Sequence, residues 1–175
     1  MRAALGADDI EGLFRALDVE LRTSDLAGEV YVVGGAVMCL ALRARPSTRD
    51  VDGWFEPARA IRQAAARVAA ARDISETWLN DAAKGYLSPA GEYRPYLELP
   101  NLKVLTAEPE YLLAMKCLAF RLGAEFQDEA DVRFLLRYLN IERYDHALEI
   151  ITRYYPRERF PQKAFYALEE LLERK

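Results

Sequence analysis

Paired glycines and paired aspartates, close together in the chain, have the types and spacing that point to chemistry. Gly34-Gly35 ends the apolar run Val30-Tyr31-Val32-Val33 and precedes a second apolar segment. A buried strand is therefore predicted to stop at the glycines and a helix to start there. Glycines at such a turn leave backbone N–H groups uncovered, and a helix N-terminus adds partial positive charge. The pattern predicts a phosphate-binding turn.

Asp50 and Asp52 come next, after a polar stretch, in the segment Asp50-Val51-Asp52-Gly53-Trp54-Phe55. Residues two apart on a strand project from the same face, so the two carboxylates can share a hard cation such as Mg²⁺ or Mn²⁺. An anion-binding turn beside a metal pair is what phosphoryl or nucleotidyl transfer requires of a protein. Each pair alone has a plainer explanation, as a tight turn or as loop acids. Their order and spacing favour the site.

The polar stretch between the two pairs supplies further candidates for binding a nucleotide. Ser47 and Thr48 can donate hydroxyls to phosphate or can cap a turn. Arg45 and Arg49 can neutralise phosphate or can pair with neighbouring acids. The sequence leaves both alternatives open.

The elements that must position these residues form a mixed α/β half followed by a helical half. Helices are predicted from about Asp8 and from Pro57 to about Arg72, and further short strands up to Leu105. After Pro109 the pattern is helical to the end. The expected fold is α/β (α+β), a small mixed sheet with flanking helices, as a domain over 1–106. A C-terminal helical bundle follows over 107–175.

Composition excludes several classes of protein. With 51% hydrophobic and 30% charged residues the chain is globular rather than disordered. A net charge of −4 argues against a broad grip on nucleic acid. Cys39 and Cys117 lie in apolar stretches and there is a single histidine, so no structural zinc site or disulfide framework is expected. No span or signal peptide is apparent, and we expect a cytoplasmic protein with no membrane partner.

Gly34-Gly35 and Asp50-Val51-Asp52 resemble the signature of the DNA polymerase β-like nucleotidyltransferase superfamily. The stretch from Arg45 to Asp52 is similar to the Arg-x-[Ser/Thr]-x-Asp-hydrophobic-Asp form of its AbiEii-like and uncharacterised bacterial branches, some of which are toxins of toxin–antitoxin pairs. The resemblance extends loosely to Trp78-Leu79-Asn80-Asp81 and to the segment ending in Lys116. It implies that the acids bind divalent metal and that the glycine turn binds nucleotide phosphates.

The resemblance also implies a third acid on a later strand and a lysine that contacts phosphate. Glu98 is our candidate for the acid, because it is a lone acid within a strand-like apolar run, although an exposed edge-strand glutamate has the same pattern. Lys116 lies among apolar helical neighbours, so its ammonium needs an anion or must reach water. It can contact a substrate phosphate. Asp128 and Asp131 can hold Lys116 or Arg121 in place, or can simply favour a helix N-terminus.

The function predicted on this basis is transfer of a nucleoside monophosphate from a nucleoside triphosphate to an RNA, protein or small-molecule acceptor. A toxin role with an antitoxin partner follows from the resemblance only. Gly53 stands where the family pattern has a large apolar residue, which favours the alternative of an inactive interaction module with the same fold.

Overall fold

The computed structural model describes residues 4–123 and 125–173. Its elements confirm a mixed α/β fold. Within the described residues the strands are β1 (Leu5–Gly6), β2 (Gly28–Val33), β3 (Ser47–Thr48), β4 (Val51–Glu56), β5 (Leu79–Asn80), β6 (Tyr93–Glu98) and β7 (Leu102–Ala107). The helices are α1 (Ala7–Thr23), α2 (Gly35–Leu40), α3 (Ala58–Arg72), α4 (Pro109–Leu118), α5 (Asp128–Tyr138), α6 (Tyr144–Ile151) and α7 (Gln162–Glu173).

The main sheet has five strands in the order β5-β4-β2-β7-β6. β2 lies at its centre, antiparallel to β4 and parallel to β7. The edges are β5, which runs parallel to β4, and β6, which runs antiparallel to β7. A separate two-stranded sheet joins β1 to β3. The chain segment between α2 and β4 is thereby tied to the start of α1.

Side chains along β2, β4 and β7 largely alternate between a buried face of the sheet and a partly exposed one. α1 and α3 pack on each other, α1 also contacts β7, and α3 contacts β4. The buried face of α1 consists of the apolar residues that its 3.6-residue period predicts, Ile10, Leu13, Phe14, Leu17 and Leu21. The opposite sheet face carries Tyr31, Asp52 and Trp54, each only half-buried.

A second compact unit comprises the helices α4 to α7 and the earlier segment Tyr86–Glu92. That segment is fastened by Ser88, whose backbone N–H donates to the Tyr111 hydroxyl (2.9 Å) and whose Oγ donates to the Tyr154 carbonyl (2.5 Å). The boundary predicted from the sequence divides the chain between 106 and 107, whereas the segment Tyr86–Glu92 belongs to the second unit. The first unit contains the described residues up to Gly85 together with Tyr93–Ala107.

Among the described residues, none of the helices combines the length and apolarity that a bilayer span requires.

We expect Gly53→Ala to destabilise the protein by about 1–3 kcal/mol, because a Cβ there would collide with the Tyr31 carbonyl oxygen on the adjacent strand. Gly12→Ala is the matched control. It lies inside α1 with nothing within 4 Å of the added methyl, so it should stabilise by about 0.5–1 kcal/mol. Urea unfolding of the two variants measures both effects. A Gly53→Ala protein as stable as wild type would contradict the observed strand spacing.

Candidate active site

The Gly34-Gly35 turn lies where β2 ends and α2 begins. Gly34 has φ +67° and ψ −146°, a conformation that is essentially restricted to glycine. Its carbonyl accepts a hydrogen bond from the Val37 N–H at 3.1 Å. α2 has only the six residues Gly35–Leu40. Its dipole contributes little to the site.

Asp52 is brought to this turn by strand register. On β4 it pairs with Val33, the last residue of β2. Its Oδ2 lies 3.7 Å from the point that a Cβ on Gly34 would occupy. Asp50 stands immediately before β4, where the Val51 N–H donates to the Trp78 carbonyl at 2.6 Å. The expectation that both aspartates lie on one strand is therefore corrected: β4 contains Asp52, and Asp50 precedes it.

Gly35 is contacted by the polar stretch that links α2 to β4. A Cβ on Gly35 would lie 2.9 Å from Arg45 Nη1 and 3.1 Å from Thr48 Oγ1. Thr48 also donates its hydroxyl to the Asp50 carbonyl at 3.3 Å. Ser47 pairs with Gly6 through β3, and the Arg49 side chain is exposed. Of the polar candidates, Thr48 and Arg45 are the ones at the turn.

The register does not bring Glu98 to the site, which corrects the expectation that it supplies a third ligand. Glu98 pairs with Lys103, and Lys103 pairs with Glu29. That row crosses β2 about 13 Å from Val33, the partner of Asp52. Glu98 is 75% exposed and its Oε1 lies 3.9 Å from Lys103 Nζ. It matches the edge-strand alternative instead.

An aromatic group that the sequence argument missed lies beside Asp52 on the same sheet face. Tyr31 and Trp54 stack with ring centroids 3.8 Å apart, and Trp54 Nε1 donates to the Tyr93 hydroxyl at 3.0 Å. The Tyr31 hydroxyl donates to Glu29 at 2.6 Å. This hydrogen bond, helped by burial, raises the pKa of Tyr31 to about 12. Asp52 and Trp54 are two residues apart on β4, and this spacing is the signal that could have placed the aromatic group on the same face as the aspartate.

Lys116 belongs to a buried ion cluster in the second unit. Its Nζ lies 2.7 Å from Asp131 Oδ2 and 3.7 Å from Asp128 Oδ1. Asp128 also accepts from Arg121, both from Nε (2.9 Å) and from the backbone N–H (3.0 Å). That hydrogen bond raises the pKa of Arg121 above its usual value. Of the roles left open for Lys116, these contacts support the structural one.

Comparison of the chain with protein-family models, curated proteins and solved structures gave no match.

The donor set at the turn fits a small hard cation. Asp52 places a carboxylate oxygen beside the turn and Asp50 lies two residues earlier in the chain, and Mg²⁺ commonly takes one or two carboxylates together with waters and substrate phosphates. Within residues 4–123 and 125–173 no group of three His, Cys, Asp or Glu side chains converges on a metal position.

Lys116→Met should destabilise the protein by about 3–5 kcal/mol, because the carboxylates of Asp128 and Asp131 would remain buried without the ammonium. Arg133→Ala provides the control, since it removes a surface pair with Glu129 worth at most about 0.5 kcal/mol. Chemical denaturation gives both values. If Lys116→Met leaves the stability unchanged but abolishes triphosphate binding, the lysine instead contacts a phosphate of the ligand.

Proposed function

We propose that the chain is a metal-dependent nucleotidyltransferase. It would transfer a nucleoside monophosphate from a nucleoside triphosphate to the hydroxyl of an acceptor. The observation that carries this proposal is the placement of the Asp52 carboxylate against the Gly34 turn. A group that binds cations and a backbone bend that accepts phosphate oxygens then lie side by side.

The fold supports the same proposal. A mixed sheet covered by helices on one face, with the glycine turn after β2 and the acid pair at β4, is the arrangement that the nucleotidyltransferase resemblance implies. We therefore propose that the first unit has a nucleotidyltransferase-like fold. The toxin role, an antitoxin partner and the cytoplasmic location belong to the same proposal through the resemblance.

The chain's own residues have distinct parts in the reaction. Asp50 and Asp52 would hold Mg²⁺, which supplies charge compensation on the phosphates and orients them. The uncovered backbone at Gly34 and Gly35 lets phosphate oxygens approach without steric hindrance. In the transfer, the acceptor oxygen forms a bond to the α-phosphorus, the bond from that phosphorus to the bridging oxygen breaks, and pyrophosphate leaves. The acceptor is an RNA end, a protein hydroxyl or a small molecule.

Calorimetric titration with each nucleoside triphosphate, with and without Mg²⁺, tests the proposal. We expect binding that depends on Mg²⁺ and that weakens at least about tenfold in Asp50→Asn and in Asp52→Asn, since each loses a charged metal ligand. Asp25→Asn controls for the lost charge. Asp25 is exposed, and asparagine tolerates the left-handed backbone conformation at this position. Pyrophosphate release in the presence of an acceptor measures turnover.

Two results separate the alternatives. Binding without pyrophosphate release from any RNA, protein or small-molecule acceptor would favour the inactive interaction module. No binding of any nucleoside triphosphate at millimolar Mg²⁺ would overturn the nucleotidyltransferase proposal and would also favour the inactive interaction module.

A further inference from the structure

The two glycines of the turn differ in what a side chain at each position would meet. Gly34 has a backbone conformation that other residues avoid. Gly35 has no such conformation, yet its missing Cβ would lie 2.9 Å from Arg45 Nη1, closer than Cβ atoms approach other groups, and 3.4 Å from Arg45 Cζ. A side chain at position 35 would therefore displace the guanidinium that lies over it.

Arg45 is held in this position by the chain around it. The preceding turn is closed by the Ala44 N–H, which donates to the Met38 carbonyl at 2.8 Å. The following carbonyl, of Pro46, accepts from the Cys39 thiol at 3.7 Å, and Ser47 and Thr48 pair with β1. Anchors on both sides fix the backbone of Arg45 relative to α2.

The groups that meet over the two glycines form a set suited to phosphate. Arg45 brings a planar cation, Thr48 a hydroxyl and Asp52 a carboxylate that can hold a metal. A guanidinium pairs with phosphate oxygens through two parallel hydrogen bonds, which an ammonium or a short helix cannot reproduce. Positive charge at the turn comes chiefly from Arg45, because α2 has only six residues.

We propose that Arg45 binds the triphosphate at the Gly34-Gly35 turn and that Gly35 lacks a side chain so that the guanidinium can lie against it. That the ligand carries a nucleoside rests on the proposed nucleotidyltransferase function. That Arg45 binds its phosphates does not depend on that function. The proposal assigns the phosphate contact to Arg45 rather than to Arg49, which is equally available in the sequence but is exposed.

The test compares inorganic tripolyphosphate and nucleoside triphosphates as ligands, each with Mg²⁺, in calorimetry. Arg45→Ala should weaken both about 10- to 100-fold, the range of a charge-assisted hydrogen bond, and Arg45→Lys should recover only part of the loss. Arg59→Ala, which removes an exposed arginine on α3, should change affinity less than about twofold, and so should Arg49→Ala. Thermal unfolding checks that each variant is folded.

A double-mutant cycle tests the contact itself. Gly35→Ala should weaken tripolyphosphate binding to a similar degree as Arg45→Ala, because the new methyl displaces the guanidinium. In the Arg45→Ala background, Gly35→Ala should have little further effect on binding. If the two residues acted independently, the effects of the two substitutions would add.

The outcomes distinguish this inference from the proposed function. Nucleotide binding that is unaffected by Arg45→Ala would overturn the role of Arg45 and leave the nucleotidyltransferase proposal intact. If tripolyphosphate binds in a way that depends on Arg45 but no nucleoside triphosphate binds, the nucleotidyltransferase proposal is overturned and the role of Arg45 in binding phosphate stands. Equal losses in Arg45→Ala and Arg49→Ala would also overturn the assignment, because a general charge effect would then explain both.

Discussion

The antiparallel register of β2 and β4 places Val33 opposite Asp52, and the geometry of the candidate site depends on it. Because side chains alternate between faces, a slip of one residue would turn Asp52 toward α1 and α3. The carboxylate would then be buried among apolar side chains and far from the glycine turn. The same slip would bury Trp54 and expose Phe55. Hydrophobic burial and the placement of the acid are therefore enforced by one pairing.

Gly53 shows how close this pairing is. A side chain at that position would meet the carbonyl of Tyr31, so the large apolar residue of the family pattern has no room here. The departure need not loosen the strand. It accompanies a tight approach of β4 to β2, and the stacked rings of Tyr31 and Trp54 lie on the face opposite the helices. The packing thus offers a structural account for a residue that, in sequence alone, favoured a degenerate site.

Much of this arrangement follows from local sequence pattern, and the rest depends on contacts distant in the chain. The buried face of α1, the end of β2 at the glycines and the strand that carries Asp52 were predictable, because periodicity and glycine placement are local properties. The strand begins one residue after Asp50, which the pattern did not predict. The position of Glu98 was not. It depends on how β6 pairs with β7 and β7 with β2, and no short pattern encodes that register. The irregularity between Pro95 and Leu97 on β6 makes it still harder to count along the strand.

The choice between Arg45 and Arg49 illustrates the same limit on a smaller scale. Both arginines flank Ser47 and Thr48, and composition gives no reason to prefer either. The difference arises because β3 pairs with β1, at the far end of this part of the chain, and fixes the direction in which the segment leaves α2. Once that direction is set, one guanidinium lies over Gly35 and the other is exposed. The pairing of the two-residue strand β1 with β3 thus helps to determine which of the two guanidinium groups lies over Gly35.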